Sequence, residues 1–171
     1  PNKVITANRV KRAENFFFKF CYLIHKNLTF VFTGELIKFG NYSCLPKSVA
    51  INMSFSSSTW SSFSGSLAKL IKDRVSIPSV RGSRYFAQSK MGFLNLVKHS
   101  LSIIAVFKNI VIIRSIIFLL VYFFFIYQTL SIVTLIPVFF ILFLIFVIIS
   151  LSKRENINEM KDSLQNIQSI K

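Results

Sequence analysis

The sequence predicts an α-rich membrane protein whose C-terminal third is a two-helix transmembrane hairpin, preceded by amphipathic interfacial helices. Three observations carry that class. Residues 115–152 contain no Asp, Glu, Lys or Arg, and most of them are Ile, Leu, Val or Phe. Apolar residues make up 53% of the 171 positions, with 20 Phe, against about 45–50% in a soluble domain. The charge is lopsided, with 21 Lys+Arg against 6 Asp+Glu, and all but four of the basic residues precede the apolar run.

The uncharged run is too long for one pass. An uninterrupted helix over its 38 residues would reach roughly 57 Å at 1.5 Å per residue. The hydrocarbon core is only about 30 Å thick, so the chain must fold back. Tyr127, Gln128, Thr129 and Ser131 form the most polar interruption, which places the passes at about 110–128 and 132–151. Lys108 and Arg114 flank the first pass and Lys153 and Arg154 the second. The positive-inside rule then puts both ends on the cytoplasmic side, in an inner (cytoplasmic) membrane. Arg114 falls inside the first turns, where its stem can snorkel to the headgroups. Pro137 is expected to kink the second pass.

Residues 152–171 read as a polar cytoplasmic tail, with Ile157, Met160, Leu164 and Ile167 at helical spacing. Upstream, Val4-Ile5-Thr6-Ala7 is strand-like. A helix is expected over about 14–28, with Phe16, Phe17, Phe20, Leu23 and Ile24 on one side, ended by Thr33-Gly34. Gly40-Asn41 is a turn signal, and Pro46 closes that loop. A second helix is expected over about 57–74, where Trp60, Phe63, Leu67, Leu70 and Ile71 follow helical spacing. Pro78 keeps residues 75–80 extended. Ser89 is an expected N-cap for a helix over about 89–107, with Met91, Leu94, Val97, Leu101 and Ile104 on one face. Basic, amphipathic and next to the membrane run, that helix suits the interface plane. The resulting segments are 1–53, 54–109 (amphipathic helices and a basic loop), 110–151 (the hairpin) and 152–171.

The sequence carries little acid–base chemistry of its own. It has no Asp-x-Asp, no Gly-rich phosphate loop and no metal-ligand cluster. His25 and His99 have no evident partners, and the serines of 54–66 lack a general base. Cys21 and Cys44 read as two reduced thiols. What remains is cationic: Arg9 and Arg12 past a strand end, and Arg81, Arg84 and Lys90 on a loop. Guanidinium forks bind phosphate bidentately, and a formal charge of +15 calls for an anionic partner. Membrane lipids and phosphorylated ligands fit; no nucleic-acid reading motif accompanies the charge. A small non-catalytic anchor or accessory protein with a basic face for anionic lipids needs no more than this.

The segment Arg81-Gly-Ser-Arg84-Tyr-Phe-Ala87-Gln-Ser89-Lys90, with the helix and two passes after it, resembles the C-terminal part of membrane-anchored family 2 glycosyltransferases. That branch includes the dolichol- and undecaprenyl-phosphate sugar transferases, with the pattern Arg-x-x-Arg-x-x-Gly-x-Ser-Lys; Ala87 stands in place of the glycine. Ala7-Asn8-Arg9-Val10-Lys11-Arg12 is similar to the Arg-x-x-Arg segment that ends a catalytic-domain strand. Phe39-Gly40-Asn41-Tyr42-Ser43 is similar to one version of the acceptor loop, and Trp60 falls where that subgroup carries a Trp. The similarity covers about residues 4–128.

The resemblance implies that residues 1–53 are the end of a partial α/β nucleotide-sugar transferase domain with its acceptor loop. It implies phosphate-binding roles for Arg9, Arg12, Arg81, Arg84, Ser89 and Lys90, toward a nucleotide-sugar donor and a lipid or membrane acceptor. Relatives carry an acidic residue where Asn41 stands, and an amide cannot act as a base, so the catalytic residue is unassigned. The family's nucleotide-binding half, and the divalent ion (Mg or Mn) it implies for the full-length protein, precede the matched region. With Pro1 in place of an initiating Met, the chain is expected to be a portion of a longer enzyme and inactive by itself. Homo-oligomerisation is left open.

Overall fold

The computed structural model describes residues 3–11, 16–80 and 92–168. Helix accounts for 69% of it, beside a three-stranded sheet, and two helices are long and apolar enough to span a membrane. The order is β1 (Val4–Lys11), α1 (Phe16–Thr33), β2 (Phe39–Cys44), α2 (Lys47–Ser54), α3 (Ser57–Ser61), α4 (Phe63–Leu70) and β3 (Arg74–Val80). Then come α5 (Phe93–Ala105), α6 (Lys108–Ile126), α7 (Ile132–Ser152) and α8 (Ile157–Gln168).

The sheet order is β2-β1-β3, with β1–β2 antiparallel and β1–β3 parallel. Alternation along the strands sorts its residues. Val4 packs with Met53 and Leu67, among Phe39, Leu45, Val49, Phe63 and Ile71, so α2 and α4 cover one face. The opposite face carries Ile5, Ala7, Val75 and Ile77. Ile5 pairs with Val75 and Ala7 with Ile77, and both β3 side chains are exposed.

A second core joins the sheet layer to the long helices. Ala68, Ile104, Ala105, Val106, Phe107, Val111, Leu144 and Ile148 cluster there, so α4, the C-terminal end of α5, the start of α6 and the second half of α7 meet at one end. Lys69 Nζ donates to the Val106 carbonyl at 2.9 Å, placing a cation at the carbonyl end of α5 as the helix dipole favours. From this junction α6 and α7 run out side by side. Ser131 caps α7 by accepting from the Thr134 amide, with Thr134 Oγ1 accepting in return from the Ser131 amide. Tyr122 Oη donates to the Thr134 carbonyl at 2.9 Å, tying the two helices near their turn. Pro137 lies inside α7, where it supplies no N–H to the preceding turn.

The hairpin boundaries agree with the sequence to within a few residues. Elsewhere the structure corrects the expectations. The helix expected over 57–74 is two helices, because Ser62 adopts an extended backbone (φ −158°, ψ 116°) and its side chain accepts from the Gly65 amide. Arg74 then opens β3 instead of closing a helix. The loop expected around Gly40-Asn41 is strand β2: Gly40 needs no positive φ, and pairing with β1 satisfies the backbone. Helix α2 carried no usable signal. Helix α1 runs past Leu28 to Thr33, ending where Gly34 takes φ +78° and its amide donates to the Phe30 carbonyl. The described N-cap of α5 is Gly92; Ser89 lies outside the described residues.

Candidate functional site

The parallel pairing of β1 and β3 positions the candidate site. Its register places Arg9 opposite Ser79 and Lys11 opposite Val80. The two strands therefore end together, roughly 4.8 Å apart. Arg12 follows Lys11 in the sequence, and Arg81 follows Val80. The carboxyl ends of β1 and β3, which precede the rest of the two basic segments in the sequence, are therefore neighbours. In open parallel sheets this is the edge where ligands collect.

Of the expected phosphate ligands, Arg9 sits in β1; Arg12, Arg81, Arg84, Ser89 and Lys90 lie outside the described residues. Asn41 sits in β2 with its side chain exposed.

One strand turn away, on the sheet face that carries Val4, is a recess of about 280 Å³. Thr6 and Asn8 of β1, Phe39 of β2, and Arg74 and Ser76 of β3 line it, with Leu36, Lys38 and Lys72 from the adjoining loops. Its cations were not legible in the sequence. Arg74 is fixed from every side: Nη1 donates to the Ala68 carbonyl at 3.1 Å and to the Ile71 carbonyl at the end of α4. The guanidinium also lies 5.4 Å from the Phe39 ring centroid and 3.8 Å from Glu35 Oε2. Lys72 pairs with the other Glu35 oxygen, and the Glu35 amide donates to Thr33 Oγ1 at 3.1 Å. Glu35 thus balances part of the charge, while Lys38 stays exposed at the rim. The recess can hold a small anion against Lys38 with hydroxyl and amide groups of Thr6, Asn8 and Ser76 around it. It offers no general base.

No three His, Cys, Asp or Glu side chains converge among the described residues.

A second polar cluster lies at the junction of α4, α5 and α7. Glu155, just past α7, has a buried Oε1 with no hydrogen-bond partner among the described residues. Burial raises its pKa above the usual carboxylate value, and the charges of Lys69 and Lys108 pull partly the other way.

Compared with protein-family models, curated proteins and solved structures, the chain matches none.

Proposed function

We propose that this chain is the C-terminal portion of a membrane glycosyltransferase resembling family 2. In this reading it moves a sugar from a nucleotide-sugar donor to a lipid-linked or membrane-associated acceptor. The hairpin crosses the bilayer twice with both ends cytoplasmic.

The observation that carries the reading is the parallel register of Lys11 with Val80. It sets the carboxyl ends of β1 and β3 side by side, and in this reading Arg9, Arg12 and the Arg81–Lys90 segment would bind phosphate beyond that edge. Cations gathered there would stabilise the charge of a departing nucleoside diphosphate. Two further features support it. A parallel strand pair is normally covered on both faces, yet Val75 and Ile77 are open, as in a sheet that continues into a larger α/β domain. The surfaces of α6 and α7 are apolar all round, with Phe124 and Phe125 at 72% and 74% exposure. Water would penalise such a surface; hydrocarbon would not.

Nucleotide and metal binding are assigned to the part of the enzyme that precedes the matched region. The test is Arg81→Ala with Arg84→Ala in the intact membrane protein. Loss of sugar transfer with unchanged membrane attachment supports the reading. A graded loss of binding to anionic vesicles, with no transfer activity to lose, supports a non-catalytic anchor instead.

A further inference from the structure

Helix α1 has its polarity the wrong way round for a helix on a water-facing surface. At about 3.6 residues per turn, Phe16, Phe20, Leu23, Ile24, Phe30 and Val31 share one side, and every one of them is exposed. Two of its polar residues turn inward, while Asn27 is exposed within the apolar stripe and Lys19 at its edge. Thr29 and Thr33 are buried; Thr29 Oγ1 donates to the His25 carbonyl at 2.8 Å and Thr33 Oγ1 to the Thr29 carbonyl at 2.6 Å. The inner hydroxyls are thus satisfied within the helix, while six large apolar side chains face outward. A contiguous exposed stripe of this kind marks a surface that something covers.

We infer that α1 is a membrane-surface helix whose outward face beds into the boundary between headgroups and acyl chains of an anionic bilayer. The inference rests on reading α6 and α7 as a membrane hairpin. Two attachments set its depth. At its C-terminal end, Arg114 of α6 donates to the Phe30 and Val31 carbonyls. Arg114 lies six residues into α6, roughly 9 Å along the helix from Lys108, which is the depth of an interfacial helix. At its N-terminal end, the Phe17 ring lies 5.8 Å from that of Phe93, where α5 exposes Phe93, Leu94 and Val97. The stripe is therefore continuous with the exposed start of α5 at one end and with the apolar surface of α6 at the other.

Charge selects the occupant. Helix α1 has no acidic residue, and Lys19 and Lys26 follow one edge of the stripe. Anionic headgroups complement that edge. A second copy placed symmetrically on the same face would set Lys19 and Lys26 against themselves.

The test uses the full chain with Trp60→Phe, carrying one new tryptophan at a time, in vesicles of phosphatidylcholine with a minority of phosphatidylglycerol. Phe20→Trp and Leu23→Trp report on α1, and Phe143→Trp in α7 reports on the hairpin. The expected result is that lipid brominated near the headgroup removes about half or more of the Phe20→Trp and Leu23→Trp emission. Acrylamide should then have little effect on either. Lys19→Glu with Lys26→Glu should weaken that quenching. Should Phe143→Trp be quenched by lipid brominated near its midplane while both α1 reporters stay open to acrylamide, α1 is not at the membrane although the hairpin is. Reporters shielded from acrylamide yet untouched by brominated lipid would mean that protein covers the stripe, which also overturns the inference. Failure of Phe143→Trp to respond would sink the hairpin reading itself.

Discussion

The Arg114 guanidinium donates to the Val31 carbonyl at 2.8 Å, so a cation within the first turns of an apolar helix closes the C-terminal end of another helix. The sequence suggested a side chain reaching for headgroups. The last carbonyls of α1 have no intrahelical donors, and the negative end of its dipole attracts the charge. Gly34 completes the arrangement: it holds φ +78°, and a Cβ there would come within 2.7 Å of Arg114 Nη2. Gly34→Ala should therefore cost about 1–2 kcal/mol from the left-handed backbone alone. Arg114→Ala, at an exposed site, should cost about 1 kcal/mol. Both should speed protease cleavage between α1 and β2. The double variant should lose less than the sum, because the guanidinium that the new methyl displaces is already gone; strict additivity would refute the coupling.

Ser62 splits what the sequence presents as one helix. Its hydroxyl accepts from the Gly65 amide at 3.2 Å, and behind it Ser66 bonds Ser58 and Thr59 at 2.8 and 2.9 Å. Ser62→Ala should destabilise the fold by about 1 kcal/mol through the lost cap. Ser66→Ala should cost about 1 kcal/mol as well, because it removes the bonds to both Ser58 and Thr59 while Ser58 keeps its bond to Ser56 at 2.8 Å. Denaturant unfolding in detergent checks both. An unchanged midpoint for Ser62→Ala would mean that the break has another cause.

These two sites show why parts of the fold were legible and others were not. The two long apolar helices could be read because they depend on composition along one segment, and the polar interruption of Tyr127, Gln128, Thr129 and Ser131 was enough to mark the turn between them. The helix break at Ser62 depends on a hydroxyl competing for a backbone amide, which spacing of Trp60, Phe63 and Leu67 does not register. Strand β2 was misread because Gly40-Asn41 has turn chemistry, while pairing with β1 decided its state. Arg74 and Glu35 were missed for a related reason. They are 39 positions apart, and the sheet order β2-β1-β3 brings their surroundings together. The Arg9–Arg12 and Arg81–Lys90 segments were legible as basic motifs; that β1 and β3, which precede them, end side by side was not.

Glu155 makes the fold sensitive to pH in a direction opposite to that of a salt-bridged carboxylate. Its folded-state pKa lies above the usual carboxylate value because burial outweighs the charges of Lys69 and Lys108. The folded chain therefore holds the proton more tightly than the unfolded chain. Stability from this group is present below the unfolded pKa and declines as pH rises through the raised folded value. Glu155→Gln should flatten that decline and raise the midpoint near neutral pH. Unfolding curves measured at several pH values, with and without the substitution, decide it. A variant that follows the parent's pH dependence would remove Glu155 as the cause.

The proposed orientation of the hairpin rests on where its charges sit. Lys108 and Arg114 lie at the start of α6 and Lys153 and Arg154 at the end of α7. Val111 and Ile148 are buried in one cluster with Ala68 and Phe107. The start of α6 and the end of α7 are therefore held at the same junction, and the Tyr127–Thr129 turn is the far tip. In a chain freed of its own thiols by Cys21→Ser and Cys44→Ser, Lys153→Cys and Thr129→Cys should react from opposite sides of a sealed vesicle with a membrane-impermeant maleimide. In right-side-out vesicles Thr129→Cys should label at once and Lys153→Cys only after permeabilisation. Inverted vesicles should reverse the order. Labelling of both from one side would mean that the two helices do not cross, and the apolar surfaces of Phe124, Phe125 and Phe143 would then need a protein partner to cover them.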